Sequence, residues 1–416
     1  MSTAISVHMG ASENFYERMV LSLLSKMKEG RLEMALPGGE TIGIGEGQGD
    51  QVVRICVRNN DFFRRCFLYG DIGFGESYVD GDWDTEDIAG VIRWFLLNIE
   101  NAPAVSGSRV RSFLLNGLKF MNRLYHRKRS NSVNGARKNI AAHYDLNNDF
   151  FCLFLDPTMT YSSAYFREAG MCLEEAQRAK YERLSQQLCI KPSDHVLEIG
   201  SGWGGNAIYM AGQYGCRVTT TTISGEQYKW VRQRVEEEGL SDRVTVLLED
   251  YRSLKGSYDK IVSIEMLEAV GAKFLDLYFA KCASLLGKEG ILALQVITCP
   301  DSRFEHFRKG VDWIQKHIFP GSLLPSVGAI NNAVNHTCDL TLINLKDLGQ
   351  HYSATLQAWR RRFNERLDAV RQLGFDDRFI RKWDYYFCYC EAAFDMRHIH
   401  VMQMVYTRPD NFRGFL

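Results

Sequence analysis

Apolar and polar residues follow two different periods along this chain. Near its start, Glu13–Lys28 has apolar residues at helical spacing. Gln51–Arg58 (QVVRICVR) alternates roughly every second residue and reads as a strand. From Lys191 the pattern becomes regular. His195–Ile199, Arg217–Thr222, Val244–Leu248, Tyr258–Ile264 and Gly290–Ile297 read as strands, with helical stretches Asn206–Gln213, Gln227–Glu238 and Phe274–Leu286 among them. Such alternation implies an α/β chain with a doubly wound, Rossmann-like sheet and helices on both faces. The first part of the chain lacks this order and is expected to form a smaller α+β domain. Within it, Asp71–Asp87 holds seven acids and no Lys or Arg, which suggests turns and a short helix start.

Composition becomes informative only when read locally. The 416 residues carry 50 Lys+Arg against 50 Asp+Glu, with 45% hydrophobic residues. That excludes a mainly disordered chain and gives no overall charge for binding nucleic acid. The 11 cysteines are dispersed without a CxxC pair, so no metal site is expected, and reduced thiols in a cytoplasm fit the count. The first residues show no basic-then-apolar leader pattern. No apolar run approaches the roughly 18–20 residues that a membrane span needs.

Residues 101–140 depart from the neutral average: nine basic residues and no acid, so the other 376 sum to −9 (41 basic minus 50 acidic). Apolar Phe113, Leu118, Phe120 and Leu124 are interspersed. A basic amphipathic stretch can lie on an anionic bilayer, each Lys or Arg contributing about 1 kcal/mol. The alternative is a solvated linker helix packed on the following domain. These patterns divide the chain into residues 1–125, a basic linker 126–140 and a domain 141–416, in a cytoplasmic protein that touches a membrane peripherally.

The sharpest single motif is Val196-Leu-Glu198-Ile-Gly200-Ser-Gly202-Trp-Gly204-Gly205. An acid near a strand end precedes closely spaced glycines, which permit positive φ and close backbone approach to a ligand at a helix N-terminus. The spacing fits G-x-G-x-x-G poorly and looks more like an S-adenosylmethionine site. The second strand ends Thr222-Ile223-Ser224 with Gln227 downstream, without the acid that often holds ribose hydroxyls; a Thr run can also be plain β-propensity. Asp250-Tyr251 after the third strand would suit an adenine amine and ring face, or form a simple turn.

Several segments together resemble the cyclopropane-fatty-acid synthases: His143–Leu146, Tyr161-Ser-Ser-Ala-Tyr165, the Val196–Gly205 loop, Thr222-Ile-Ser-x-x-Gln227, Ser263-Ile-Glu-Met-Leu-Glu268-Ala-Val-Gly271, Trp313–Pro320 and Leu323–Ser326. The match runs from about 140 to 408, and the preceding stretch is similar in length to the extra N-terminal domain of bacterial phospholipid-acting members. The resemblance implies a class I methyltransferase fold and transfer of the S-adenosylmethionine methyl to a cis double bond of a phospholipid acyl chain. It also implies a homodimer. By position it implies cofactor contacts at Tyr161, Ser162, Gly200, Gly202, Thr222, Ile223, Gln227 and Tyr251, to which the motif readings add Glu198, Gly204 and Asp250.

An alkene is a weak nucleophile, so it has to be held in line with the methyl. The resulting carbocation needs a dry pocket and aromatic faces; Tyr161, Tyr165 and Phe166 are the candidates. In the family a bound bicarbonate looks like the base that removes a proton. The positions that would hold it are Ser163 in place of Cys, Glu268, Gln295 in place of His, Ile297 through its backbone, and Tyr352. Ser163 still offers a backbone amide, whereas Gln295 cannot become cationic or shuttle a proton. Glu268 is either a direct base, if an apolar pocket raises its pKa, or an orienting carboxylate. These departures leave open a methyl-branched alkene, a furan precursor among them, as the product instead of a ring. Amine N-methylation is a further alternative, because plant alkaloid N-methyltransferases share much of the motif series, and a non-catalytic membrane-binding module is another. Arg360–Arg362 reads as an exposed helix face.

Overall fold

The computed structural model describes residues 15–47, 52–99 and 148–411. The basic segment 101–140 and the His143–Leu146 motif lie outside them. The described chain forms two compact units. One holds residues 15–99 together with Asp376–Ala392; the other holds 148–375 and 393–411.

In the first unit, α1 (Phe15–Leu24) precedes strands β1 (Gly30–Ala35), β2 (Thr41–Glu46) and β3 (Val52–Val57). Then follow α2 (Asp61–Tyr69), α3 (Asp71–Val79), a short β4 (Trp83–Asp84) and α4 (Ile88–Leu97). The sheet order is β2-β1-β3-β4, with β1 and β3 parallel. The acid-rich stretch is more ordered than its composition suggests. Asp71–Val79 is a full helix with Ile72, Tyr78 and Val79 buried. Its acids do not stand alone: Asp80 pairs with Arg378 at 2.7 Å, and Asp84 with Arg381 at 2.7 Å. Both arginines lie on the helix Asp377–Asp395, so basic partners distant in sequence neutralise the acidic loop.

The second unit contains a seven-stranded sheet ordered β10-β11-β9-β8-β5-β6-β7. Its helices, in chain order, include α5 (Asn148–Cys152), α6 (Leu173–Gln187), α7 (Gly205–Tyr214), α8 (Gly225–Glu237), α9 (Leu275–Leu285) and α10 (Gly349–Asn364). Strands β5 (His195–Ile199), β6 (Arg217–Thr222), β7 (Val244–Leu248) and β8 (Tyr258–Ile264) have the expected bounds, and β9 runs Leu286–Thr298. These five are parallel; β11 (His400–Thr407) pairs antiparallel with β9 and with β10 (Thr341–Asp347). Side chains alternate across the sheet. Val196, Val262 and Ile291 enter one core, while Leu197, Ile261 and Leu292 enter the other. Both faces are therefore buried, as a doubly wound sheet requires. The chain steps outward from β5 to β6 and β7, then crosses back to β8 on the other side of β5. Ligands bind such sheets at this reversal, outside the carboxyl ends of the strands.

Candidate active site

The glycine loop leaves the end of β5, at that reversal. Gly200, Gly202 and Gly204 have φ of 97°, 48° and 87°, a region that L side chains rarely adopt. The loop is pinned from behind: the Gly200 and Ser201 amides donate to the Thr221 carbonyl at 3.1 and 2.9 Å. A methyl group on Gly204 would lie 2.9 Å from Val231, whereas one on Gly202 would meet nothing within 4 Å. The loop is thus packed at Gly204 and open at Gly202, a cradle that fits a nucleoside cofactor lying over backbone.

Glu198 is buried and faces inward, accepting from Asn206 at 2.8 Å and Thr220 at 2.6 Å. Burial pushes its pKa up to about 7. It joins β5, β6 and the first turn of α7, so in this structure it braces the loop. Thr222 and Gln227 are both buried and bonded to each other at 2.8 Å, with Ile223 between them in the chain and partly exposed. Asp250 takes three hydrogen bonds from Arg252, at 3.0, 2.8 and 2.7 Å. The adjacent Tyr251 ring packs edge-on to Tyr278 at 5.3 Å.

Across the reversal, the β8 end places two carboxylates three residues apart, Glu265 and Glu268. Glu265 has φ 50°, a strained value for a non-glycine residue. Its amide donates to the Gln295 carbonyl at 2.7 Å. Its carboxylate accepts from the Ser163 amide at 2.9 Å, from the Gln295 side chain at 2.8 Å and from the Tyr352 hydroxyl. Glu268 is buried, accepts from the Ile297 amide, and leaves its Oε2 without a hydrogen-bond partner. Burial, then the charge of Glu265, pushes Glu268 up to about 8. Glu265 is also raised by burial, against the pull of Lys180. Leu323 donates to the Glu268 carbonyl at 2.9 Å, which gives the Leu323–Ser326 motif its structural role.

The five positions Ser163, Glu268, Gln295, Ile297 and Tyr352 therefore converge, around a carboxylate the sequence reading had not singled out. Glu265 stood inside the quoted Ser263–Gly271 motif; its spacing from Glu268 at a strand end was the available signal. Lys180 was also missed. It is fully buried on α6 and donates to the Ser162 hydroxyl at 2.6 Å. Burial lowers it to about 7, while Glu265, Asp156 and Glu198 hold it up.

Aromatic rings line the same region. Tyr161 lies 5.2 Å from Trp359, 5.4 Å from Phe151 and 6.3 Å from Phe319, ring centre to ring centre. Tyr352 stacks on Phe394 at 4.5 Å. Tyr165 packs on His351, the neighbour of Tyr352, at 5.0 Å and under Arg183 at 5.6 Å. Arg360–Arg362 is not a simple exposed face, because Arg362 donates to the Leu155 carbonyl at 2.8 Å.

The family model for mycolic acid cyclopropane synthetase matches residues 131–404. The chain is 39% identical over 356 residues to a tuberculostearic acid methyltransferase of Mycobacterium tuberculosis, covering 83% of this chain and 81% of that protein. It is 38% identical over 370 residues to the cyclopropane-fatty-acyl-phospholipid synthase of Escherichia coli, covering 86% and 89%. The solved structure of a mycolic acid cyclopropane synthase complexed with SAH and CTAB matches with a TM-score of 0.60 and 30% identity, covering 65% of this chain and 98% of that one. Sheet order, glycine loop and sequence agree: the chain belongs to the mycolic acid cyclopropane synthetase family and is an S-adenosylmethionine-dependent methyltransferase.

Proposed function

We propose that this enzyme transfers a one-carbon unit to the double bond of an unsaturated phospholipid acyl chain and closes a cyclopropane ring. The observation that carries the proposal is the pair of buried carboxylates beside the glycine loop, next to the Tyr161–Trp359 aromatic wall. When bound, S-adenosylmethionine supplies an electrophilic methyl. Tyr161, Ser162, Gly200, Gly202, Thr222, Ile223, Gln227 and Tyr251 would hold it. Glu198, Gly204 and Asp250 support that surface from behind through the bonds and packing described above. The aromatic rings exclude water and present their negative faces to a cationic carbon. The alkene needs no deprotonation before attack, so a base is required only afterwards.

A methyl-branched product and amine N-methylation are the weaker readings. The matched family, the solved neighbour and the Escherichia coli relative carry cyclopropane names, and both relatives are named for fatty acids or fatty-acyl lipids rather than amines. The substrate would be reached from an anionic membrane surface through residues 101–140, whose nine basic residues attract such a surface. No helix among the described residues is long and apolar enough to cross a membrane. A homodimer, implied by resemblance, is checked by sedimentation.

The test uses methyl-labelled S-adenosylmethionine with vesicles of unsaturated anionic phospholipid. Label is expected in acyl chains that take up no hydrogen on mild hydrogenation. Uptake of two hydrogens would identify a methylated alkene, and absence of label from lipid would overturn the lipid reading. Vesicle binding is expected to weaken as salt rises.

A further inference from the structure

We propose that the Glu265 carboxylate is the catalytic base of this enzyme and occupies the place where the resemblance puts a bound bicarbonate. The proposal rests on the methyl-transfer reading above and adds a residue to it.

Three of the five groups expected to grip bicarbonate already point at Glu265: the Ser163 amide at 2.9 Å, the Gln295 side-chain amide at 2.8 Å, and the Tyr352 hydroxyl. The fourth, the Ile297 amide, is taken by Glu268, and Glu268 is the fifth. Each donor of the set thus ends on a carboxylate of this chain. A further anion placed there would face that negative charge in a buried setting, where like charges repel strongly. The residues present do not fit bicarbonate.

They do fit a built-in substitute. A carboxylate shares with bicarbonate a planar, two-oxygen anionic face. Glu265 is presented by a backbone conformation with φ 50°, retained at the carboxyl end of β8 where the sheet reverses. Its neighbour Met266 lies against Gly200 of the glycine loop, within 3.3 Å of where a Cβ there would sit. Buried Lys180 favours the Glu265 anion against the effect of burial, while burial and the Glu265 charge both raise Glu268, so the pair favours one negative charge over two.

The step balances. Once the alkene carbon has taken the methyl, the neighbouring carbon is cationic. A C–H bond of that methyl breaks, its electron pair forms the second ring bond, and the proton passes to a Glu265 oxygen. The anionic carboxylate becomes a neutral acid and later loses its proton to water.

Two measurements test this, one of them independent of lipid. In calorimetric titration with sodium bicarbonate, wild-type protein is expected to give no saturable heat. Glu265→Gly, which relieves the positive φ and vacates the space, is expected to bind it. Saturable binding to the wild type at millimolar concentration, or none to a folded E265G, overturns the proposal. In carbon-dioxide-free buffer, wild-type lipid methylation is expected to proceed unchanged, while Glu265→Gln falls about 100-fold with SAH affinity within about twofold. E265G is expected to regain about tenfold when bicarbonate is added. Wild-type activity that needs bicarbonate, or an E265Q enzyme as fast as wild type, also overturns it. A wild type that labels no lipid but binds no bicarbonate would count against the substrate reading instead.

Discussion

Gln295 donates its side-chain nitrogen to Glu265 at 2.8 Å, and its orientation is also held from the other side of the amide. Gln403 donates to the Gln295 oxygen at 3.0 Å, and Arg183 donates to the Gln403 oxygen at 2.9 Å. The Gln295 nitrogen also donates to the Ser163 carbonyl at 3.1 Å, so two acceptors on the nitrogen side and the relay on the oxygen side together hold the nitrogen toward Glu265. Gln403→Leu would leave the Gln295 oxygen buried without a donor. Turnover is expected to fall about tenfold through misplacement of Glu265, with SAH affinity within about twofold. Equal losses in both would place Gln403 in the fold rather than in the site.

Glu268 makes stability depend on pH in a defined direction. Folded, it keeps its proton up to about 8, against an ordinary value of 4.5. Between those values the native state holds a proton that the unfolded chain has released, so this group's contribution falls as pH rises. Glu268→Gln removes that loss. Its melting temperature relative to wild type is expected to rise by about 2–4 °C from pH 5 to pH 9, read by parallel thermal scans. A constant difference would mean that Glu268 is not held protonated.

Lys180 acts with the opposite slope. It is lowered to about 7 from an ordinary 10.5, so between those values the unfolded chain binds the extra proton and stability rises with pH. Lys180→Met is expected to flatten this rise between pH 7 and 10. It would also slow turnover by removing the cation beside Glu265, an effect visible as an upward shift in the acidic limb of the pH–rate profile.

The glycine loop separates fold from binding. Gly204→Ala places a methyl 2.9 Å from Val231 at φ 87° and is expected to destabilise the protein by about 2–3 kcal/mol in urea titration. Gly202→Ala has open space around it at φ 48°. It is expected to cost about 1 kcal/mol of stability yet weaken SAH binding at least tenfold.

In the first unit, Arg381 donates to the Tyr78 and Trp83 carbonyls at 2.7 and 2.9 Å, and sits 4.0 Å from the Tyr78 ring centre. Arg381→Met is expected to cost about 2 kcal/mol. The neighbouring Arg378→Met, which breaks a pair whose arginine is 70% exposed, is expected to cost less than about 1 kcal/mol. Urea titration of the two variants ranks them.

The strands were legible because their chemistry is local. Runs of five to seven residues rich in β-branched and apolar side chains, ending in turns, reproduce the bounds of β5 to β8, and the glycine loop is marked by the close spacing of its glycines. Asp71–Val79 was less so, since its acids favour turns in isolation, whereas in the fold Ile72, Tyr78 and Val79 are buried and Arg378 and Arg381, some 300 residues later, pair with the acids of the loop that follows. Glu265 was hidden for a similar reason. Nothing in its neighbours tells that its carboxylate turns inward; that depends on a positive φ and on three donors drawn from residues 163, 295 and 352.

What the chain specified by itself was the α/β alternation, the cofactor loop and the family, because periodicity and motif spacing are properties of neighbouring residues. What only the tertiary structure decided was which groups meet: Glu198 against Asn206 and Thr220 as a brace, Tyr165 against His351, and Glu265 at the centre of the expected anion-holding set. The physical reason is that charge in a buried site is governed by burial and by donors brought from distant strands and helices, and no local pattern encodes which of two nearby carboxylates they will choose.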